Sequence, residues 1–208
     1  MTAKTVTRDM TKGSPMKLIL GFAVPLIFGL LFQQLYNMAD TMIVGQTLGE
    51  DALAAVGATG SINFLIVGFC NGLCAGFVIP VAQQFGAGDE RALRRYAANA
   101  IWLSAAFSVV VTAAVALLCR PILRLMQTPE NIFEGAYQYI LAIFLGIPAT
   151  VFYNLLAGFI RSLGDSRSPV LILTGAALLN IGLDLLFILQ FGWGVAGAAW
   201  ATVLSQLL

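Results

Sequence analysis

Residues Leu18–Ala39 read LILGFAVPLIFGLLFQQLYNMA, a run without one charged side chain. At 1.5 Å per residue, about 20 such residues cross the roughly 30 Å hydrocarbon core of a bilayer. The run does not alternate with period two, which excludes a barrel strand. Further uncharged stretches follow at Ala52–Gly88, Tyr96–Cys119 and Gly135–Ile160, and from Ser168 to the end only Asp184 interrupts. The last stretch is long enough for two helices, split at Gln190–Gly194, where glycines and a Trp suit a tight interfacial turn. The expectation is an all-α integral membrane protein with six helices, at about 17–41, 52–83, 95–118, 133–160, 168–189 and 195–208. A polar tail, residues 1–16, precedes them.

Composition agrees. Of 208 residues, 59% are hydrophobic and 10% charged, too little polar surface for a water-soluble globule and too much apolar content for a disordered chain. A net charge of +1 gives no argument for a nucleic-acid partner. Histidine is absent, which removes imidazole chemistry, and no nucleophile–base pair stands out, so an enzyme is not expected. Cys70, Cys74 and Cys119 form no CxxC and indicate neither a disulfide framework nor a zinc site. A cleaved signal peptide is disfavoured by the full-length apolar run that follows the basic tail.

Basic residues set the orientation. Lys4, Arg8, Lys12, Lys17, Arg91, Arg94, Arg95, Arg161 and Arg167 fall on one side, and only Arg120 and Arg124 on the other. The excess predicts a multi-pass protein of the cell membrane with a cytoplasmic N-terminus. The sixth helix is short: Val195–Leu208 covers about 21 Å and ends without an anchor. It reads as an incomplete helix of a longer chain.

Polar residues inside apolar helices ask for a reason, since an Asp at a helix centre costs roughly 2.5–3.5 kcal/mol on insertion scales. Asn180 and Asp184 lie one turn apart on one face of the fifth helix. They can share a proton or offer oxygens to a small hard cation such as Na⁺; the plainer alternative is a hydrogen bond to a neighbouring helix. Gln33, Tyr36, Asn37 and Asp40 repeat at three- to four-residue spacing and make one polar stripe, suited to a water-filled cavity. Asp40 alternatively marks only the exit from the first helix. Pro25 and Pro148 permit bends. Gly68, Gly72 and Gly76 form a small-residue ridge expected to seat close helix packing.

Taken in order, these residues resemble a known family. Pro25-Leu-Ile, Tyr36-Asn-Met-Ala-Asp40-Thr-Met-Ile-Val-Gly45 and Leu53-Ala-Ala-Val-Gly57 are similar to the first two helices of the multidrug and toxic compound extrusion (MATE) transporters. Gln83-Gln-Phe-Gly-Ala-Gly-Asp89 and Arg161-Ser-Leu-Gly-Asp-Ser-Arg167 resemble their cytoplasmic loops. Asn180-Ile-Gly-Leu-Asp184 and Gly194-Val-Ala-Gly-Ala-Ala-Trp-Ala-Thr202 resemble their fifth and sixth helices. The resemblance implies the N-terminal lobe of a twelve-helix fold and export of organic cations or drugs, driven by Na⁺ or H⁺, with no other cofactor. It implies a cation or proton site at Asp40, Asn180, Asp184 and Thr202 with the Ala198 carbonyl, which the Thr202 hydroxyl lies near, four residues on. It makes Pro25 a hinge and Gln33, Tyr36 and Asn37 candidates for the cavity wall. The expected partners are the bilayer, an organic cation, and a C-terminal half or another protein that shields the open face: insertion machinery, a chaperone or a second copy. The rival readings are a lipid-linked saccharide flippase of the same superfamily and a non-transporting fragment held by partner proteins. The flippase would call for a basic cavity.

Overall fold

A computed structural model describes residues 14–207, all of them helical apart from short joints. The elements are α1 (Pro15–Leu48), α2 (Glu50–Ala87), α3 (Glu90–Leu125), α4 (Glu130–Leu145), α5 (Ile147–Ser162), α6 (Arg167–Leu185), a π-helical turn (Leu186–Gln190) and α7 (Gly194–Leu207). The chain is thus an all-helical membrane bundle. Most of the expected N-terminal tail, residues 1–13, and the last residue of the sixth helix lie outside the described residues. Among those described, α1, α2, α3 and α6 with its π turn are each long and apolar enough to cross a membrane, and α4 with α5 makes a fifth, bent span.

The helices overrun the uncharged runs for identifiable reasons. Helix α1 continues past Asp40 to Leu48 because Thr41–Leu48 stays uncharged, so Asp40 is interior to the helix and not its exit. Helix α3 starts in the charged stretch, where the Asp89 carboxylate accepts the Ala92 N–H at 2.9 Å, an N-cap that serves an orphan donor. Glu90 in its first turn and Arg124 in its last match the helix dipole. Only Gly49 separates α1 from α2, at φ +89°, a backbone region in which a Cβ is strained.

The single span expected over 133–160 is two helices meeting at 44° around Gly146. Pro148, two residues on, lacks the N–H that would continue the ladder. Gly146 sits so close to Val203 of α7 that any Cβ there would run into its side chain. Pro25 produces no comparable break, and α1 passes through it as one helix.

The bundle is apolar outside and partly polar inside. Leu117 and Leu125 are 81% and 84% exposed, while Thr59, Ser104, Ser108, Asn180 and Asp184 are buried. That inversion suits lipid as the solvent. Helices α2 to α5 enclose one dry core built on Cys70, Cys74, Cys119, Leu123, Ile140, Phe144 and Val151. A second cluster, with Val44, Tyr139, Ala142, Ile188, Ala198 and Ala199, joins α1, α4 and α7. Helix α1 lies along α6, with Gly29 against Val170. Within the described bundle the expected packing ridge seats no helix: apart from the adjoining backbone, no atom lies within 4 Å of where a Cβ would stand at Gly68, Gly72 or Gly76. The closest approaches are at Gly29, Gly146 and Gly158, the last facing Val78, with Gly135 and Gly197 also tightly met.

Candidate functional site

Helices α1, α6 and α7 bring Asp40, Asn180, Asp184, Ala198 and Thr202 to one place. Asp184 and Asn180 are wholly buried and Asp40 is 8% exposed. The four-residue spacing on α7 has the effect expected of it: the Thr202 hydroxyl donates to the Ala198 carbonyl at 3.1 Å. Across the helix pair, Asn180 Nδ2 lies 3.4 Å from Thr202 Oγ1 and donates to it. The Asp40 and Asp184 carboxyls are near enough to act on one another. Yet both Asp184 oxygens, Asp40 Oδ1 and Asn180 Oδ1 are buried with no hydrogen-bond partner among the described residues.

Acceptors left bare in this way are costly, several kcal/mol for an ionised carboxylate after relaxation. Two acids, an amide oxygen, a hydroxyl and a carbonyl are an all-oxygen set. They fit protons or a small hard cation such as Na⁺.

In front of this cluster opens a cavity of about 750 Å³. Gln33, Tyr36, Asn37, Asp40 and Thr202 stand in its wall, as the polar stripe predicts. Asn180, Asp184 and Ala198 lie behind the wall, with Asp40 and Thr202 between them and the open space. Pro25 does not reach the wall; its neighbour Leu26 does.

Sequence reasoning missed much of the polar lining. Asn63 and Asn71 of α2, Tyr139 of α4, Thr150, Tyr153, Asn154 and Arg161 of α5, and Gln206 of α7 all face the cavity. Asn63 and Asn71 are two turns apart on one helix face, and Thr150, Asn154 and Arg161 likewise share a face, a periodicity visible in the sequence. The Thr150 hydroxyl donates to Gln206 Oε1 at 2.6 Å, and Asn154 Nδ2 donates to the Thr150 carbonyl at 2.8 Å. Among the described residues, the polar part of the cavity wall is therefore amides, phenols and hydroxyls with one carboxylate and one guanidinium, set among apolar residues such as Leu30, Phe64 and Leu173.

Past Arg161 the chain turns into α6 through a short polar joint. Asp165 accepts the backbone N–H groups of Arg167 at 2.9 Å and Ser168 at 3.0 Å, and the Ser168 hydroxyl. Burial alone would raise this carboxyl, but those donors outweigh it and hold Asp165 below the usual carboxylate range. Asp165 is covered by its own turn at the rim of the bundle, so the local hydrogen bonds dominate.

Comparison with known proteins is consistent along the whole chain. The MatE family profile matches residues 25–186. "Probable multidrug resistance protein YpnP" of Bacillus subtilis is 33% identical over 95% of this chain and 44% of its own length. "FAD transporter" of Shewanella oneidensis is 28% identical over 92% and 43%. A MATE crystal structure in the bent conformation superposes with a TM-score of 0.88 at 32% identity, covering all of this chain and 46% of that one. The chain thus spans about half the length of the curated relatives it matches.

Proposed function

The chain belongs to the MATE family, and from that premise we propose that it forms the ion-coupling six-helix bundle of a secondary antiporter that exports organic cations or drugs in exchange for Na⁺ or H⁺. The observation that carries this reading is the Asp40–Asp184 pair, Asp40 in the wall of a polar cavity and Asp184 buried behind it, with both Asp184 oxygens and Asp40 Oδ1 lacking a donor among the described residues. Charged and unpaired, the acids favour a hydrated packing of α1 against α6 and α7. A proton or Na⁺ that neutralises them removes the desolvation penalty and makes a drier packing favourable. An organic cation held near Asp40 competes for the same negative charge and is released when the ion enters.

The distribution of basic residues supports a cell-membrane protein with its N-terminus and its α2–α3 and α5–α6 joints in the cytoplasm. The open side, where the α2 glycines meet no atoms, suits a second six-helix bundle or another protein that covers it. A flippase for a lipid-linked saccharide gains little support from a cavity whose wall, among the described residues, holds a single cation, Arg161.

Proteoliposomes containing the assembled transporter, under an imposed Na⁺ or pH gradient, test the proposal. Asp184→Asn is expected to insert normally and to lose gradient-driven export of an organic cation. Near-normal export by that variant would reject the coupling site.

A further inference from the structure

Helix α3 packs against α2, α4 and α5, and no residue of it lines the cavity. Its other side is turned outward. Arg91, Arg95, Ala98, Trp102, Ala105 and Val109 follow one another at spacings of three or four, so they share one helix face, and all six are exposed. The face is apolar from Ala98 onward, which suits acyl chains, and it ends in two guanidiniums. Two other guanidiniums of α3 have partners. Arg120 lies 3.7 Å from Glu134 and 4.4 Å over the ring of Tyr137, and Arg94 lies 3.8 Å from Glu90, an exposed pair one turn apart. Arg91 and Arg95 have no carboxylate within 4 Å among the described residues, and the carboxylate of nearby Asp89 is taken up with the Ala92 N–H. The helix gains nothing from Arg91, because a cation in a first turn opposes the dipole.

Trp102 is 76% exposed and lies seven residues beyond Arg95, about 10 Å along the axis. A headgroup layer is about 5–8 Å deep. Guanidiniums among the phosphates therefore put the indole at the edge of the hydrocarbon, the level at which Trp is favoured. Between them Ala98 presents only a methyl. We propose that Arg91, Arg95 and Trp102 form a seat for one anionic phospholipid, with its phosphodiester held by the two guanidiniums and its glycerol end lying over Ala98 against the indole. Two guanidiniums one turn apart can each offer a fork of N–H donors to the same phosphate. A zwitterionic headgroup fits less well, because its ammonium stands among Arg91, Arg94 and Arg95 and is repelled.

Trp102 reports on its own lipids once Trp193 and Trp200 are replaced by Phe. The 208-residue chain in that background is placed in phosphatidylcholine nanodiscs that carry a minor, equal fraction of acyl-brominated phosphatidylglycerol or acyl-brominated phosphatidylcholine, and quenching of Trp102 is measured. Both leaflets hold the probe, so the orientation of the chain does not enter. Brominated phosphatidylglycerol is expected to associate about fivefold more strongly. Arg91→Gln with Arg95→Gln should bring that ratio to about one and leave quenching by brominated phosphatidylcholine as it was. Arg91→Lys with Arg95→Lys should keep part of the ratio, since the charge remains without the fork. Native mass spectrometry of the chain with all three Trp, counting retained phosphatidylglycerol against phosphatidylcholine, makes the same comparison if the Phe background fails to fold. Equal association of the two lipids, or a ratio that survives the paired Gln substitutions, overturns the seat. So does loss of the ratio on Arg124→Gln at the opposite end of α3, which would make the preference a matter of total charge.

Discussion

Two interiors of similar size do opposite things in this bundle. Around Phe144, Cys70, Cys74 and Cys119, helices α2 to α5 bury apolar atoms against apolar atoms, and the Cys74 thiol finds the Val151 carbonyl at 3.7 Å. Around Asp184, helices α1, α6 and α7 bury carboxylate and amide oxygens that find no hydrogen-bond partner among the described residues. The first arrangement is near its best state and resists change. The second is poor as it stands, and a single proton or cation improves it. The contrast belongs to the sequence, which spends Leu, Cys and Phe in one place and Asp and Asn in the other.

The largest effect should come from thinning the dry interior. Phe144→Ala leaves a void at a wholly buried site and is expected to destabilise by about 3–5 kcal/mol, read from denaturant unfolding in detergent micelles. A loss below about 1 kcal/mol would show that this interior is not the rigid one. Next, Gly146→Ala pushes a methyl into Val203, a β-branched side chain with little freedom to turn aside. A loss of about 1–3 kcal/mol is expected, and a Val203→Ala partner should restore most of it in a double-mutant cycle.

The joint between the two halves gives a smaller, pH-dependent effect. Asp165→Ala removes the acceptor for two N–H groups and a hydroxyl, at about 1 kcal/mol. Because the folded carboxyl is held below its unfolded value, its contribution is complete above the ordinary carboxylate range and disappears as pH falls through the folded value. The stability gap between the unmodified chain and the variant should therefore close on acidification below about pH 4. A gap independent of pH would assign the loss to packing.

The smallest effect should be at the centre of the polar interior. Asp184→Asn removes an ionisable group that lacks donors and is expected to leave stability unchanged or raise it by about 1 kcal/mol at neutral pH. A marked loss in the same unfolding assay would mean that the carboxylate holds the bundle together, and the contrast between the two interiors would fail.

How far the sequence discloses these interiors depends on how many residues share each signal. The spans are plain because charges such as Asp51, Asp89 and Arg161 interrupt long apolar runs, and lipid tolerates few exceptions. Asn180 and Asp184, one turn apart, mark a polar face by themselves. Asn71, Thr150 and Gln206 are polar residues of three different helices, and only their meeting in space makes a wall. The break at Gly146 is likewise hidden, since a glycine four residues before Thr150 reads as tolerable in a membrane helix until Val203 is seen pressed against it. Gly68, Gly72 and Gly76 are a related case: spacing reveals a smooth ridge but not which neighbour occupies it.

The one-residue joint at Gly49 turns α1 into a lever. Helix α1 is 34 residues long, about 50 Å, and at its C-terminal end only Gly49 links it to α2. A rotation of about 10° at that fulcrum moves Asp40, roughly 13 Å away, by about 2 Å, and carries Pro15 about 9 Å. Two ångströms is enough to bring a carboxylate into or out of hydrogen-bonding range of its neighbours. Mechanical advantage runs from Asp40 outward, so a slight readjustment beside Asp184 is magnified into a wide sweep at the far tip of the helix.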